Sequence, residues 1–131
     1  MLFVTDGYWD FPTLVTGYDN LVYDKMVPEV IIVGLGYAGE NLNYDKLRGW
    51  ELSPVRLNFM DNSTGHAAEF LALLEQTIIP FIAQNYRADP ACRMLAGSSL
   101  GGLFTLYTMY TKPELFQGYI AASPAIIVHG D

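Results

Sequence analysis

The stretch Gly97-Ser98-Ser99-Leu100-Gly101 decides how this sequence is interpreted. It has the pattern G-x-S-x-G and lies between an apolar run at residues 93–96 and a helix-like segment at residues 103–110. Such glycines let a strand and a helix approach closely around a sharp turn that exposes the serine hydroxyl. The pattern predicts Ser99 as a nucleophile and the Leu100 backbone N–H, at a helix start, as an oxyanion donor. The alternative is a glycine-rich turn whose serine only caps the helix.

Three further apolar runs accompany the one before this turn. They lie at residues 2–5, 30–33 and 119–122, and all four runs are nearly continuous rather than alternating. Continuous runs suit strands that are buried on both faces of a parallel sheet. Right-handed crossovers restrict the possible strand orders, and among these we favour the spatial order 30–33, 2–5, 93–96, 119–122. The sequence thus predicts one α/β domain over residues 1–131, with three αβα layers and a mainly parallel sheet.

Two longer segments connect the second and third runs. Residues 67–86 repeat apolar side chains every three or four positions, which predicts an amphipathic helix. Ser63 or Thr64 is a candidate cap for this helix, and Pro80 should kink or break it. Residues 41–65 are polar and are interpreted as a long excursion, which is often functional.

The predicted strand order creates a switch point, where ligands bind in open α/β sheets. Residues 6–10 and 97–101 would face one crevice there. Four aromatic side chains in or near the first segment would either line a pocket for an acyl or aryl group or pack in the core: Tyr8, Trp9, Phe11 and Tyr18.

The composition is that of an acidic, apolar globular chain. It has 131 residues, 51% of them hydrophobic, and a formal net charge of −7 at pH 7. Polyanion binding needs clustered Lys and Arg, so no nucleic-acid partner is expected. No apolar run approaches the roughly 20 residues that span a bilayer, and no basic region precedes Asp6 and Asp10, so neither a membrane partner nor a secretory signal is expected. Cys92 is the single cysteine, which fits either a reducing compartment such as the cytoplasm or simply a protein without disulfides, and with no nearby His or second Cys it argues against a metal or redox site.

Several motifs occur in a fixed order around the central stretch. They are Asp6-Gly7, Arg48-Gly49-Trp50-Glu51-Leu52-Ser53-Pro54, Ile79-Pro80-Phe81-Ile82, Pro113-Glu114-Leu115-Phe116 and Ala122-Ser123-Pro124. Together they resemble the putative-esterase branch of the α/β-hydrolases, which includes esterase D, feruloyl esterases and siderophore esterases. The siderophore esterases are the closest in pattern. The sequence departs from the branch at Gly49 and Trp50, which replace polar or basic residues, and at Ser98, where histidine is common.

This resemblance implies a serine esterase that forms an acyl-enzyme at Ser99 with a small-molecule ester and needs no cofactor or metal. It implies Leu100 as one oxyanion donor. A second donor is expected from the loop after the first run, at Tyr8 or Trp9. The resemblance also implies a truncated α/β-hydrolase core, because the family places further strands before residues 2–5.

The remainder of a catalytic triad is not evident. In this fold the acid and the histidine follow the serine along the chain, yet the chain reaches its last residue a short way past Ser99. Two histidines are candidate general bases: His129, with Asp131 as its orienter, and His66. Each is otherwise an ordinary polar residue, at a terminus or at a helix start. Because a serine without a base is a weak nucleophile, a catalytically silent binding module is the alternative function.

Two further expectations concern a competing motif and the sheet edges. Residues 34–39 match the dinucleotide fingerprint G-x-G-x-x-G, but no apolar helical stripe follows them, so a loop is favoured over a nucleotide site. A four-stranded sheet with open edges predicts self-association to a homo-oligomer, or the presence of a complementary segment.

Overall fold

Four short strands form one parallel sheet. The structure, a computed structural model, describes residues 1–57 and 64–126. The strands are β1 (Leu2–Val4), β2 (Ile32–Gly34), β3 (Met94–Ser98) and β4 (Gly118–Ala122). Their order is β2-β1-β3-β4, and all three pairings are parallel. The predicted strand positions and spatial order are confirmed.

Helices cover both faces of this sheet. They are α1 (Asp10–Tyr23), α2 (Tyr44–Leu52), α3 (Ala67–Leu73), α4 (Ile79–Asn85) and α5 (Leu100–Thr111), with a π-helical segment, Leu74–Ile78, between α3 and α4. Residues of α1 lie over the face that carries Val4 and Ala96, whereas α2 packs against α3 and α5 on the other side. The three-layer αβα architecture is therefore confirmed. In the part of the chain that the structure describes, no helix is long and apolar enough to cross a bilayer.

The hydrophobic core lies between the sheet and the layer that contains α3 and α5. Phe3, Leu74, Leu95 and Phe104 have no exposed surface, and the rings of Phe3 and Phe116 meet edge to face at 5.8 Å. Side chains of alternate strand residues point to the same face, so β1 and β3 each bury one set here. Each such side chain contributes about 1.5–3 kcal/mol by leaving water. This core holds β3 and α5, and therefore the turn between them, in place.

The segment at residues 67–86 is helical but interrupted before Pro80. The α-helical hydrogen-bond pattern stops at Leu73, and the chain continues with π-helical hydrogen bonds to Ile78. The α-helical pattern resumes in α4, with Pro80 in the first turn of that helix. Proline has no N–H and its ring clashes with the carbonyl four residues earlier, so it fits a helix best near the start. The predicted effect of Pro80 is confirmed. The predicted cap at Thr64 is wrong, because its hydroxyl accepts the Leu57 N–H at 2.8 Å; Ser63 lies outside the described residues.

Helix α2 contradicts the expectation that residues 41–65 form an irregular excursion. The side chain of Asn43 caps this helix by accepting the Lys46 N–H at 3.0 Å. The mean hydropathy of α2 is low and Gly49 lies within the helix, so the sequence shows no apolar stripe there. The helix forms because Gly49 and Leu52 are buried against neighbouring helices, and tertiary packing outweighs weak local propensity.

Candidate active site

Ser99 lies at the turn between β3 and α5. Its backbone has φ 56° and ψ −117°, a conformation that costs a non-glycine residue about 1–3 kcal/mol. Hydrogen bonds hold it there: its N–H donates to the Ala122 carbonyl at 3.0 Å, and its carbonyl accepts the N–H groups of Leu103 and Ala125. The Ser99 side chain makes no cap hydrogen bond. The alternative of a capping serine is therefore wrong for the side chain, and the hydroxyl remains available for chemistry.

The glycines around Ser99 are required by close packing. A Cβ atom on Gly97 would overlap the Gly101 carbonyl and lie 2.5 Å from Thr5 Oγ1. A Cβ atom on Gly101 would also overlap the Thr5 hydroxyl and lie 3.1 Å from Asp6 Oδ2. The residues that follow β1 thus press directly against the turn. Helix α5 begins at Leu100, three residues before the predicted start, because the turn itself leads into the helix.

Two backbone amides are candidates to stabilise an oxyanion. Leu100 is the first residue of α5, where N–H groups lack intrahelical partners and the helix dipole is positive. In the loop after β1, the Gly7 N–H donates to the Leu35 carbonyl at 2.8 Å, and the Trp9 N–H donates to the Asp6 carbonyl at 2.9 Å. The Tyr8 N–H has no partner within residues 1–57 and 64–126. Of the two predicted donors in this loop, Tyr8 is therefore the one whose amide is not already engaged.

A cleft of about 240 Å³ opens beside Ser99. Its lining comes from three parts of the chain: the loop after β1 and the start of α1, helix α2, and the turn after β3. The residues are Asp6, Trp9, Asp10, Asp45, Arg48, Ser98 and Ser99. The structure therefore confirms that residues 6–10 and 97–101 face one crevice. It adds a wall from α2 that the sequence did not indicate.

An ion pair joins α2 to the loop after β1. Arg48 Nε lies 2.8 Å from Asp6 Oδ1, and Arg48 Nη2 lies 2.9 Å from Asp6 Oδ2. The Asp6 side chain is 4% exposed and that of Arg48 is 18% exposed. The hydrogen bonds to Asp6 raise the pKa of the Arg48 guanidinium. Burial, followed by repulsion from Asp6, raises the pKa of Asp10 in the same cleft.

Three aromatic rings pack together beside the cleft, and one of them, Trp9, lines it. Tyr8 stacks on Tyr44 with 4.5 Å between ring centroids, and Trp9 meets Tyr44 edge to face at 5.5 Å. Tyr8 is 59% exposed and Trp9 is 44% exposed, so neither belongs to the core. Trp9 lines the cleft, as the pocket interpretation predicts, whereas Tyr18 holds the chain before β2 by bonding Pro28 and Val30. Tyr44 could not be anticipated because its helix was not predicted.

His66, the candidate base within the described residues, is held by contacts of its own. The His66 ring stacks on Trp50 with 4.5 Å between centroids, and His66 Nδ1 lies 3.1 Å from Glu69 Oε1. His66 is not among the residues that line the cleft. His129 and Asp131 lie outside the described residues.

The fingerprint at residues 34–39 does not open a helix. Strand β2 ends at Gly34, and the next helix begins at Tyr44. A nucleotide site needs the helix N-terminus directly after the glycines, so this stretch is a loop, as favoured from the sequence. Within the described ranges, no group of three or more His, Cys, Asp or Glu residues is arranged to hold a metal ion.

The sheet is parallel, and a strained serine lies between one of its strands and a helix whose first N–H group has no intrahelical partner. These features define an α/β-hydrolase-type protein. The chain belongs to the Putative esterase family, whose model matches residues 1–128. The resemblance drawn from the motifs is confirmed.

Named relatives of this chain include siderophore esterases. It is 33% identical to Ferri-bacillibactin esterase BesA of Bacillus subtilis, with 73% of this chain and 36% of the relative covered. It is 34% identical to Siderophore triacetylfusarinine C esterase of Aspergillus fumigatus, with 73% of this chain and 33% of the relative covered. The chain thus spans about a third of the length of these curated relatives.

Solved structures share the fold. The BES protein from Bacillus cereus superposes with a TM-score of 0.82 at 31% identity, covering 95% of this chain and 49% of that one. Siderophore hydrolase EstB from Aspergillus nidulans superposes with a TM-score of 0.81 at 26% identity, covering 94% and 44%.

Proposed function

We propose that this chain carries the nucleophile of a serine hydrolase that cleaves carboxylic esters through an acyl-enzyme at Ser99. The observation that carries the proposal is the strained turn at Ser99, a residue that lines a cleft and whose side chain makes no cap hydrogen bond. Backbone strain persists only where the surroundings impose it, and it concentrates at functional sites. The family and its named siderophore esterases support an ester as the substrate.

The reaction proceeds by two acyl transfers. Ser99 Oγ attacks the ester carbonyl while its proton passes to a base, and the carbonyl oxygen becomes an oxyanion that accepts the Leu100 and Tyr8 N–H groups. The C–O bond to the alcohol then breaks, the base returns the proton to the alcohol, and the acyl group remains on Ser99. A water molecule then attacks the acyl group on Ser99 in the same way and releases the carboxylic acid. We propose His129, oriented by Asp131, as the base, since His66 is stacked on Trp50 away from the cleft lining.

The proposed substrate is a small ester of the siderophore type. Trp9 lines the cleft, with the rings of Tyr8 and Tyr44 packed beside it, and offers flat apolar surface for an acyl or aryl group. We also propose a cytoplasmic location and self-association, both on the sequence grounds given above.

The test is covalent labelling of Ser99. A fluorophosphonate probe is expected to label the wild-type chain at Ser99 and to leave Ser99→Ala unlabelled, with Ser98→Ala as the neighbouring control that still reacts. Mass spectrometry of the digested protein locates the adduct. Equal labelling of the wild type and Ser99→Ala would overturn the assignment.

A second candidate function is a catalytically silent module that binds ligands. The observation in its favour is that no histidine lines the cleft in the described parts of the chain. Turnover of p-nitrophenyl acetate by the purified chain, lost in Ser99→Ala, would exclude it. Ligand binding without labelling or turnover would favour it over the esterase.

A further inference from the structure

We infer that Arg48 is a positioning residue that holds the oxyanion-binding loop after β1 against the Ser99 turn. The inference rests on the proposed function. Helix α2 delivers the Arg48 guanidinium to the Asp6 carboxylate, and both of its hydrogen bonds are shorter than 3 Å. Such a bidentate contact sets the orientation of the carboxylate as well as its distance from the guanidinium.

Asp6 controls the shape of the loop that carries the Tyr8 amide. Its backbone φ is 51°, in the left-handed region that is unfavourable for most side chains. Its carbonyl accepts the N–H groups of both Trp9 and Asp10, which closes the turn around Tyr8. Fixing the Asp6 side chain therefore fixes the turn, and with it the direction of the free Tyr8 N–H.

The same carboxylate presses against the first turn of α5. A Cβ atom on Gly101 would lie 3.1 Å from Asp6 Oδ2, so loop and helix are in contact at this point. An unpaired carboxylate here would repel an oxyanion forming at the Leu100 amide, because charges interact strongly where water is excluded. Arg48 neutralises that charge. Without Arg48 the buried Asp6 side chain would turn toward water and displace the loop.

A simple structural anchor would make a different prediction from a positioning residue. An anchor lowers the stability of every variant that lacks it and leaves the reactivity of the folded fraction unchanged. A positioning residue changes the rate of attack at Ser99 in the folded protein. Reactivity must therefore be measured alongside folding.

The experiment compares the second-order rate of fluorophosphonate labelling at Ser99 in purified variants of the 131-residue chain. Arg48→Gln is expected to react 10- to 100-fold more slowly than the wild type, since loss of one oxyanion donor costs roughly 100- to 1,000-fold and misplacement costs less. Arg48→Lys is expected to react at an intermediate rate, because lysine restores the positive charge but cannot make the bidentate contact of a guanidinium. Asp6→Asn combined with Arg48→Gln is expected to react faster than Arg48→Gln alone, because it removes the uncompensated charge. Arg87→Gln, at an exposed arginine outside the cleft, is the matched control with wild-type reactivity.

Amide hydrogen exchange supplies a readout that does not depend on catalysis. Exchange in residues 5–10 is expected to be faster in Arg48→Gln than in the wild type and Arg87→Gln, with circular dichroism unchanged. Equal labelling rates in Arg48→Gln and the wild type would overturn the inference, as would unchanged exchange in residues 5–10. A wild-type chain that is not labelled at Ser99 overturns the proposed function instead, and the exchange comparison then decides separately whether Arg48 holds the loop.

Discussion

Replacing Gly97 by alanine tests whether the turn at Ser99 depends on strand and helix being in direct contact. The added methyl would overlap the backbone carbonyl of Gly101 and lie 2.5 Å from Thr5 Oγ1. A flexible side chain could rotate away from such a contact. The carbonyl of Gly101 cannot, because it belongs to α5 and accepts the Thr105 hydroxyl at 2.8 Å. The methyl must therefore push α5 away from β3.

The expected cost lies in the upper part of the range for overpacking, about 2–3 kcal/mol. For a domain of this size each kcal/mol corresponds to roughly 3–5 °C in the melting temperature. Gly97→Ala should thus melt about 6–15 °C below the wild type and react more slowly with a fluorophosphonate at Ser99.

Gly17→Ala is the matched control because it makes the same chemical change inside α1. A Cβ atom on Gly17 has nothing within 4 Å. Alanine in an open helix interior is favoured over glycine by about 0.5–1 kcal/mol, so this variant should be more stable than the wild type. Urea unfolding followed by tryptophan fluorescence measures both variants. A Gly97→Ala variant within about 0.5 kcal/mol of the wild type would refute the close-contact argument, since that is the scatter expected for neutral substitutions.

Three further outcomes follow from other contacts. Burial raises the pKa of Glu51 from 4.5 to about 7, so between these two pH values the folded state binds more protons than the unfolded state. The free energy of unfolding should therefore fall as the pH rises from about 4.5 to 7, and Glu51→Gln should remove this contribution in urea titrations across that range; an identical pH dependence would contradict the assignment. Ile120 is 48% exposed on β4, an edge strand of the sheet within the described residues, so Ile120→Lys should weaken the proposed self-association in sedimentation experiments, and equal association would count against this edge. The ion pair between Lys112 and Glu75 is partly exposed, so Lys112→Ala should cost less than about 1 kcal/mol in urea unfolding, and a larger loss would show that the pair is more than a surface contact.

Local sequence patterns determined the sheet and the turn at Ser99. Each strand is a short apolar run, and the glycines of Gly97-Ser98-Ser99-Leu100-Gly101 permit one tight connection, so neighbouring residues carry the whole signal. Crossover handedness, a property of any chain of L-amino acids, restricted the possible strand orders, and the order favoured among them is the observed one. The interruption before Pro80 was likewise predictable, since proline acts on its own helix.

Tertiary structure alone decided the rest of the candidate site. Helix α2 has little apolar periodicity, and it forms because Leu52 and Gly49 are buried by elements distant in sequence. Only that packing brings Arg48 to Asp6 and Tyr44 to Tyr8. Side chains far apart in the chain meet through the combined geometry of several elements, and no pattern within a short window encodes such a meeting. The turn at Ser99 was therefore predictable from the sequence, whereas the α2 wall of the cleft and the ion pair between Arg48 and Asp6 were not.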